Sequence, residues 1–168
     1  MPSVAVDTLG MSIEQSTLLG GLAAVLVIPG NITASALLSR GIGAVLLLAT
    51  SFSAMGIFGA IFFYDGLPIL LRILAGFVFM ASAGGPPGVI WSLVPALSEQ
   101  SGAAPAMVSG VLYQFAGIGH LAGPITVGLA VQTSGEWTGA ISVLALAVFL
   151  ALSLLAIGRR LLQQFNAA

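Results

Sequence analysis

Residues 109–128 read SGVLYQFAGIGHLAGPITVG. This stretch decides the fold, because it is apolar enough to lie in a bilayer and it contains the single histidine of the chain. On a helix with 100° per residue, Tyr113, His120 and Pro124 fall on one stripe, and Gln114 lies beside it. One face of this helix is therefore predicted to meet something polar.

A second face of the same helix carries small residues. Gly119 and Gly123 are four residues apart and lie on a different side from the polar stripe. Small residues let another helix approach closely in lipid, where packing drives association and the hydrophobic effect does not. We therefore predict that this face packs against a neighbouring helix.

The composition places the whole chain in the membrane. Its 168 residues are 58% hydrophobic and 5% charged, with a mean hydropathy of +1.14, whereas a soluble domain has about 25% charged residues. We predict an all-α integral membrane protein with lipid as its surroundings. The chain has only four basic residues, all of them arginine, and this number is too small for a basic patch that would bind nucleic acid. The lack of cysteine excludes disulfides and thiolate chemistry.

Apolar runs and polar breaks predict five transmembrane helices. The predicted spans are residues 15–38, 42–64, 67–97, 104–132 and 137–158. We expect residues 1–14 to form a weakly polar extracellular or periplasmic lead, residues 15–158 the five-helix bundle, and residues 159–168 a cytoplasmic tail. The sequence Ser12-Ile13-Glu14-Gln15 fits a capping box at the start of the first helix.

The distribution of charge predicts the orientation of the five spans. Their arginines and acids separate to opposite sides, except that Glu99 lies on the arginine side and Arg72 lies inside a span. The arginine side holds Arg40, Arg159 and Arg160, and the other side holds Asp7, Glu14, Asp65 and Glu136. The positive-inside rule then places the C-terminus in the cytoplasm of a multi-pass protein of the cell membrane.

Proline and glycine are predicted to interrupt the first and third spans, and Pro124 is predicted to kink the fourth. Pro29 removes a backbone donor and bends the first span, and Asn31 follows it. The third span is interrupted by Gly84, Gly85, Pro86, Pro87 and Gly88. Interrupted helices expose backbone that can bind solutes or ions. Asn31 and its neighbours could equally serve only to hold helices together through hydrogen bonds, without binding a solute.

Arg72 is the first candidate functional residue. A charged side chain inside a membrane span is costly, so by default it indicates a functional site. Arg72 lies about one turn from the start of its span, and the alternatives are a structural role or a side chain that reaches the headgroups.

His120 is the second candidate, because histidine changes its charge near neutral pH and can relay protons in a coupled transporter. The alternative is a neutral histidine that only packs between helices. Tyr113 and Gln114 would line the same cavity, or else form hydrogen bonds at a helix interface.

Enzyme functions find little support in this sequence. A rhomboid-type serine protease needs glycine where Met107 precedes Ser109, and it needs its histidine on another helix than His120. One histidine without cysteine gives no credible zinc site, and no phosphate-binding loop is present. We therefore expect no enzyme activity, no cofactor and no metal.

The fourth span resembles a motif of the major facilitator superfamily of secondary transporters. The antiporter motif of that family reads Gly, eight residues, Gly, three residues, Gly-Pro, two residues, Gly-Gly. The matching positions here are Gly110, Gly119, Gly123, Pro124 and Gly128. Val127 replaces the first glycine of the last pair. In the third span, Arg72 followed by Gly76 is similar to the arginine-bearing fourth helix of the family or to its counterpart, the tenth.

The resemblance implies an incomplete half of the transporter fold. Of the family's loop signature Gly-x-x-x-Asp-Arg-x-Gly-Arg-Arg, only Arg40 is kept, which favours helices eight to twelve over helices two to six. In a complete member the substrate binds between two halves. The expected partners are an unidentified small-molecule substrate and the missing half or another chain, and the chain alone should not transport. The alternative is a membrane scaffold that only binds other helices.

Overall fold

The computed structural model describes residues 2–164, and every regular element in them is an α-helix. Met1 of the predicted lead and residues 165–168 of the predicted tail lie outside the described residues. The helices are α1 (Pro2–Leu9), α2 (Ile13–Val25), α3 (Val27–Ser39), α4 (Ala44–Phe63), α5 (Ile69–Ala83), α6 (Gly85–Ser92), α7 (Val94–Ser101), α8 (Pro105–Ser134) and α9 (Gly139–Gln164).

These helices form five segments with the length and hydropathy of membrane spans, which confirms the prediction of a five-span helical protein. The segments are Ile13–Ser39, Ala44–Phe63, Ile69–Ser101, Pro105–Ser134 and Gly139–Arg159. We call them the first to fifth spans. The first consists of α2 and α3, and the third consists of α5, α6 and α7.

Breaks divide the first and third spans near their prolines. The first is broken at Leu26, and Pro29 has no N–H for the carbonyl of Val25 one turn before it. The third is broken at Gly84, directly before the two prolines of α6, and again at Leu93. By contrast, α8 runs unbroken through Pro124.

The predicted lead contains a packed helix that the sequence reasoning missed. The buried Val4 of α1 packs in an apolar cluster with Phe62 and Ala75. The capping box that follows is confirmed, because Gln15 donates its backbone N–H to Ser12 Oγ at 3.2 Å. The backbone N–H of Ser12 in turn donates to Gln15 Oε1 at 3.1 Å.

The core of the bundle lies where the first, second, third and fifth spans meet. α4 packs against α5 and α9, and α3 packs against α6. The buried residues of this core are Ala34, Ala44, Leu47, Leu48, Val89, Leu93 and Leu155. α8 lies at the edge, with its main contacts to α7 and α9 and without a single buried residue.

Candidate functional site

The first and third spans cross with their backbones in direct contact. A Cβ atom added at Gly30 would overlap the carbonyl of Ala81, and one added at Gly88 would overlap the carbonyl of Asn31. A Cβ atom at Gly84 would lie 2.7 Å from the backbone nitrogen of Asn31. Only hydrogen fits at these positions, so glycine sets the closest helix crossing described in this bundle.

A cavity of about 380 Å³ lies beside this crossing, between α3, α4 and the α5–α6 break. Four hydroxyl-bearing side chains line it, namely Thr33, Thr50, Ser51 and Ser82, and we call it the hydroxyl cavity. The Thr50 hydroxyl donates to the carbonyls of its own helix, at 2.9 Å from Leu46 O. Within the described residues, the other three hydroxyls have no hydrogen-bond partner and are available to a solute.

The helix break adds backbone acceptors to this region. Pro86 and Pro87 have no N–H, so the carbonyls of Ser82 and Ala83 lose the hydrogen bonds of a continuous helix. Such carbonyls need a protein, water or solute partner inside a membrane. The predicted bend and break residues Pro29 and Gly85 also line the cavity. Ser82 lines the cavity and Ala83 does not, so the hydroxyls are the main polar groups that the cavity presents beside the interrupted span.

Polar residues on α3 divide between this cavity and helix packing. Asn31 is half-buried with its backbone against α6, and Thr33 lines the hydroxyl cavity where Asn31 does not. Ser35 Oγ donates to Gly88 O at 2.8 Å and lies 3.0 Å from Ser92 Oγ. The Ser35 hydroxyl therefore holds the first and third spans together. This agrees with the alternative in which the polar residues of this segment serve helix packing.

Arg72 lies inside the protein at one end of the bundle, 2% exposed. Its Nε donates to Phe62 O at 3.1 Å, and its Nη2 donates to Thr8 Oγ1 at 2.8 Å. The same Nη2 lies 2.8 Å from Asp65 Oδ1, in an ion pair whose carboxylate side is 42% exposed. The guanidinium thus joins α1, the end of α4 and the α4–α5 loop, and it does not line the hydroxyl cavity.

A second hydrogen bond holds α1 at the same end. Trp137 Nε1 donates to Asp7 Oδ2 at 3.0 Å. The indole of Trp137 stacks on Phe63, with ring centroids 6.4 Å apart and an interplanar angle of 10°. We call Asp7, Thr8, Asp65, Arg72 and Trp137 the N-terminal clasp. The sequence carried no signal for these contacts between distant segments.

The polar stripe of α8 is not gathered around Arg72. Gln114 and His120 are exposed, and Tyr113 is 67% exposed. The ring of Tyr113 lies 4.5 Å from the ring of Trp91 on the third span, centroid to centroid. The polar partners of Arg72 all come from α1, α4 and the α4–α5 loop. The structure therefore leaves this stripe on the surface of the chain.

The glycine face of α8 is also open. A Cβ atom added at Gly110, Gly119, Gly123 or Gly128 would meet no atom within 4 Å. Within the described part of the chain, the glycines predicted to pack thus have no helix against them. Close glycine packing occurs instead at the crossing of the first and third spans.

No group of three metal-ligating side chains is present in the described part of the chain. Comparisons of the chain with protein-family models, with curated proteins and with solved structures found no match. The resemblance to the major facilitator superfamily therefore stays a prediction from the residues of the fourth and third spans.

Proposed function

We propose that this chain is part of a secondary active transporter that moves a small polar solute across the cell membrane. The observation that carries the proposal is the break in the third span at Gly84, beside a cavity whose lining includes three hydroxyls without a protein partner in the described residues. Interrupted helices of this kind form the solute sites of many secondary transporters. The hydroxyl cavity is the part of the chain that contacts the solute.

The exposed fourth span supports a larger assembly. His120 and Gln114 would face acyl chains if α8 stood alone in the bilayer, and polar side chains are costly there. Further helices, from the other half of a transporter or from a partner chain, would cover this stripe and the adjoining glycines. Transport by rocking of one bundle against the other then needs those helices, and the chain alone is inactive.

The resemblance in residues 110–128 supports the major facilitator superfamily as the source of this architecture, with the C-terminus in the cytoplasm. Arg72 is a weaker candidate for solute contact than the hydroxyl cavity, because its Nε and Nη2 already have three protein partners. His120, Tyr113 and Gln114 would face the path between the two halves.

A membrane scaffold is the second candidate function. It is favoured by the open glycine face of α8, which is suited to close contact with another helix. A scaffold needs no solute site, so the two functions differ in what they require of the hydroxyl cavity.

Uptake by the complete assembly tests the proposed transporter. A panel of small polar solutes identifies the substrate, and the variants Thr33→Val and Ser82→Ala then remove one hydroxyl each. We expect each to weaken apparent solute affinity about fivefold, for the loss of about 1 kcal/mol of hydrogen bonding. Thr126→Val is the matched control, because the Thr126 hydroxyl only bonds to carbonyls of α8. Unchanged uptake by both cavity variants would contradict the proposed site.

The same assay tests the two charged or titratable candidates. Arg72→Ala and His120→Ala are measured separately in the complete assembly, at equal amounts of folded protein. A wild-type rate for His120→Ala would remove this residue from proton coupling. A wild-type rate for Arg72→Ala would confine Arg72 to the N-terminal clasp.

A further inference from the structure

A second cavity of about 550 Å³ is lined by residues of α1, of the first three spans and of α8, together with Trp137. Its volume is within the range of about 300–1,000 Å³ that is usual for small-molecule sites. It shares no lining residue with the hydroxyl cavity. Large aromatic and thioether side chains dominate its wall, namely Phe62, Phe63, Phe79, Met80 and Trp137. We call it the aromatic cavity.

Three of these aromatic rings form one continuous cluster. Phe62 and Phe63 meet edge to face, with centroids 5.1 Å apart and an angle of 69°. Phe63 then stacks on Trp137, whose Nε1 donates to the carboxylate of Asp7. The faces of aromatic rings attract cations, and clusters of such rings bind quaternary ammonium groups. An aromatic wall with one ring hydrogen-bonded to a carboxylate is therefore suited to an organic cation.

The charged residues at this end of the bundle also favour a cation. Asp7 and Asp65 belong to the N-terminal clasp, and Glu136 directly precedes Trp137 in the chain. The one arginine among them, Arg72, is buried and paired with Asp65. Asp7 and Glu136 therefore leave an excess of negative charge beside Trp137, and such an excess raises the local concentration of cations. A neutral acyl chain would gain nothing from these acids.

We propose that the aromatic cavity binds an amphipathic organic cation, a quaternary ammonium or phosphonium with an apolar body. The apolar body lies against Phe79 and Met80, and the cationic centre lies toward Trp137 and Asp7. Val4 of α1 and Val127 of α8 complete the lining of the cavity. The site does not depend on the hydroxyl cavity or on the proposed transport.

Tetraphenylphosphonium is the probe that tests this site. Radiolabelled probe is titrated onto the full chain in nanodiscs, with empty nanodiscs measuring partition into lipid. Neutral triphenylphosphine oxide, with a similar arrangement of rings, serves as the competitor. We expect saturable binding that unlabelled tetraphenylphosphonium displaces at least tenfold more effectively than the neutral compound does, since a desolvated cation–π contact contributes up to about 2 kcal/mol.

The variant Asp7→Asn/Glu136→Gln removes two negative charges and keeps side chains of the same shape. The Asn side-chain oxygen can still accept the hydrogen bond from Trp137 Nε1. We expect it to weaken binding about tenfold if the two carboxylates together contribute about 1.4 kcal/mol. Phe79→Ala removes part of the wall and is expected to weaken binding similarly. Phe149→Ala, on the exposed face of α9, is the control and should bind as the wild type.

Equal displacement by the neutral compound, or wild-type binding by the charge variant, would overturn the proposal. Either result would mean that the cavity is an apolar gap that accepts lipid or another helix without regard to charge. Because the charge variant leaves every cavity-lining residue in place, this test does not depend on whether Phe79→Ala folds.

Discussion

Arg72 shows how a buried charge is held in an apolar chain. Its guanidinium has a backbone carbonyl, a hydroxyl and a carboxylate around it, contributed by Phe62, Thr8 and Asp65. Removing one partner of such a group leaves the others desolvated and unpaired. The residue therefore stabilises one end of the bundle, because it ties α1 and α4 to the start of α5.

Arg72→Met tests this role. The change removes the three interactions that Nε and Nη2 make, and Phe62 O and Thr8 Oγ1 lose their donors. We therefore expect the free energy of unfolding to fall by about 2 kcal/mol. Because Asp65 is 42% exposed, water takes over part of its interaction and limits the loss. The measurement is reversible unfolding in mixed micelles. Arg40→Met, at an exposed turn, is the control. Equal stability of the two variants would contradict a structural role for Arg72.

Glycines of the same backbone conformation differ widely in what surrounds them. Gly84 lies against the backbone of α3, whereas Gly119 has open space beside it. Gly84→Ala forces two backbones apart, and we expect a loss of about 3 kcal/mol in unfolding free energy.

Gly119→Ala should be neutral or slightly stabilising in the chain alone, because alanine favours the helix by about 1 kcal/mol. Unfolding of both variants under the same conditions makes the comparison. A larger loss of unfolding free energy for Gly119→Ala than for Gly84→Ala would contradict the close crossing of the first and third spans at Gly84.

At the scale of elements, α1 depends on its contacts with the rest of the chain. An isolated helix of eight residues is not stable in water. Its apolar side packs on Phe62, and Thr8 and Asp7 bond to Arg72 and Trp137. The clasp and the apolar cluster together keep it folded.

Loss of the clasp should therefore release α1 before any other helix. Thr8→Val/Trp137→Phe removes the two hydrogen bonds that join α1 to Arg72 and Trp137, together with the bond from Thr8 to Val4 O inside α1, and it keeps an aromatic ring at position 137. We expect amide hydrogen exchange in α1 to rise about tenfold, from the loss of one to two hydrogen bonds of about 1 kcal/mol each. Thr126→Val should leave α1 unchanged. Unaltered protection of α1 in the double variant would show that the apolar cluster alone holds it.

The spans were predicted from sequence, whereas α1 and the second break of the third span, at Leu93, were not. Long apolar runs identify membrane helices because lipid demands them. The lead is too short for such a signal, although Val4, Ala5 and Leu9 form a buried side of a helix. Pro95, two residues after Leu93, was an available sign of the break that the sequence reasoning did not use.

The candidate sites were predictable only in part, because sequence spacing does not tell which faces meet. The motif near Pro86 drew attention to the region of the hydroxyl cavity, but Thr50 and Ser51 come from another helix. Arg72 was identified as unusual, yet its partner Thr8 is 64 residues away. Glycine spacing indicated close packing in α8, where the described chain has none, and did not distinguish it from the real crossing at Gly84.

At the scale of the whole molecule, the bundle has a packed side and an open side. The first, second, third and fifth spans share the apolar core, and α8 stands at the edge. The open side exposes His120 and the glycines of the fourth span. This asymmetry is the feature that the proposed partner helices would complete.

The central claim is that the break in the third span borders a solute site. This site lies inside the membrane and is open to water. Because the chain has no cysteine, single cysteines can be placed without background. We choose Ser82→Cys and Thr33→Cys in the hydroxyl cavity, with Leu154→Cys on the exposed apolar face of α9 as the control. The measurement is the rate of modification by a charged, membrane-impermeant methanethiosulfonate in native membranes. The account predicts rapid modification of both cavity cysteines and none at Leu154→Cys. Protection of both cavity cysteines to the level of the control would contradict it.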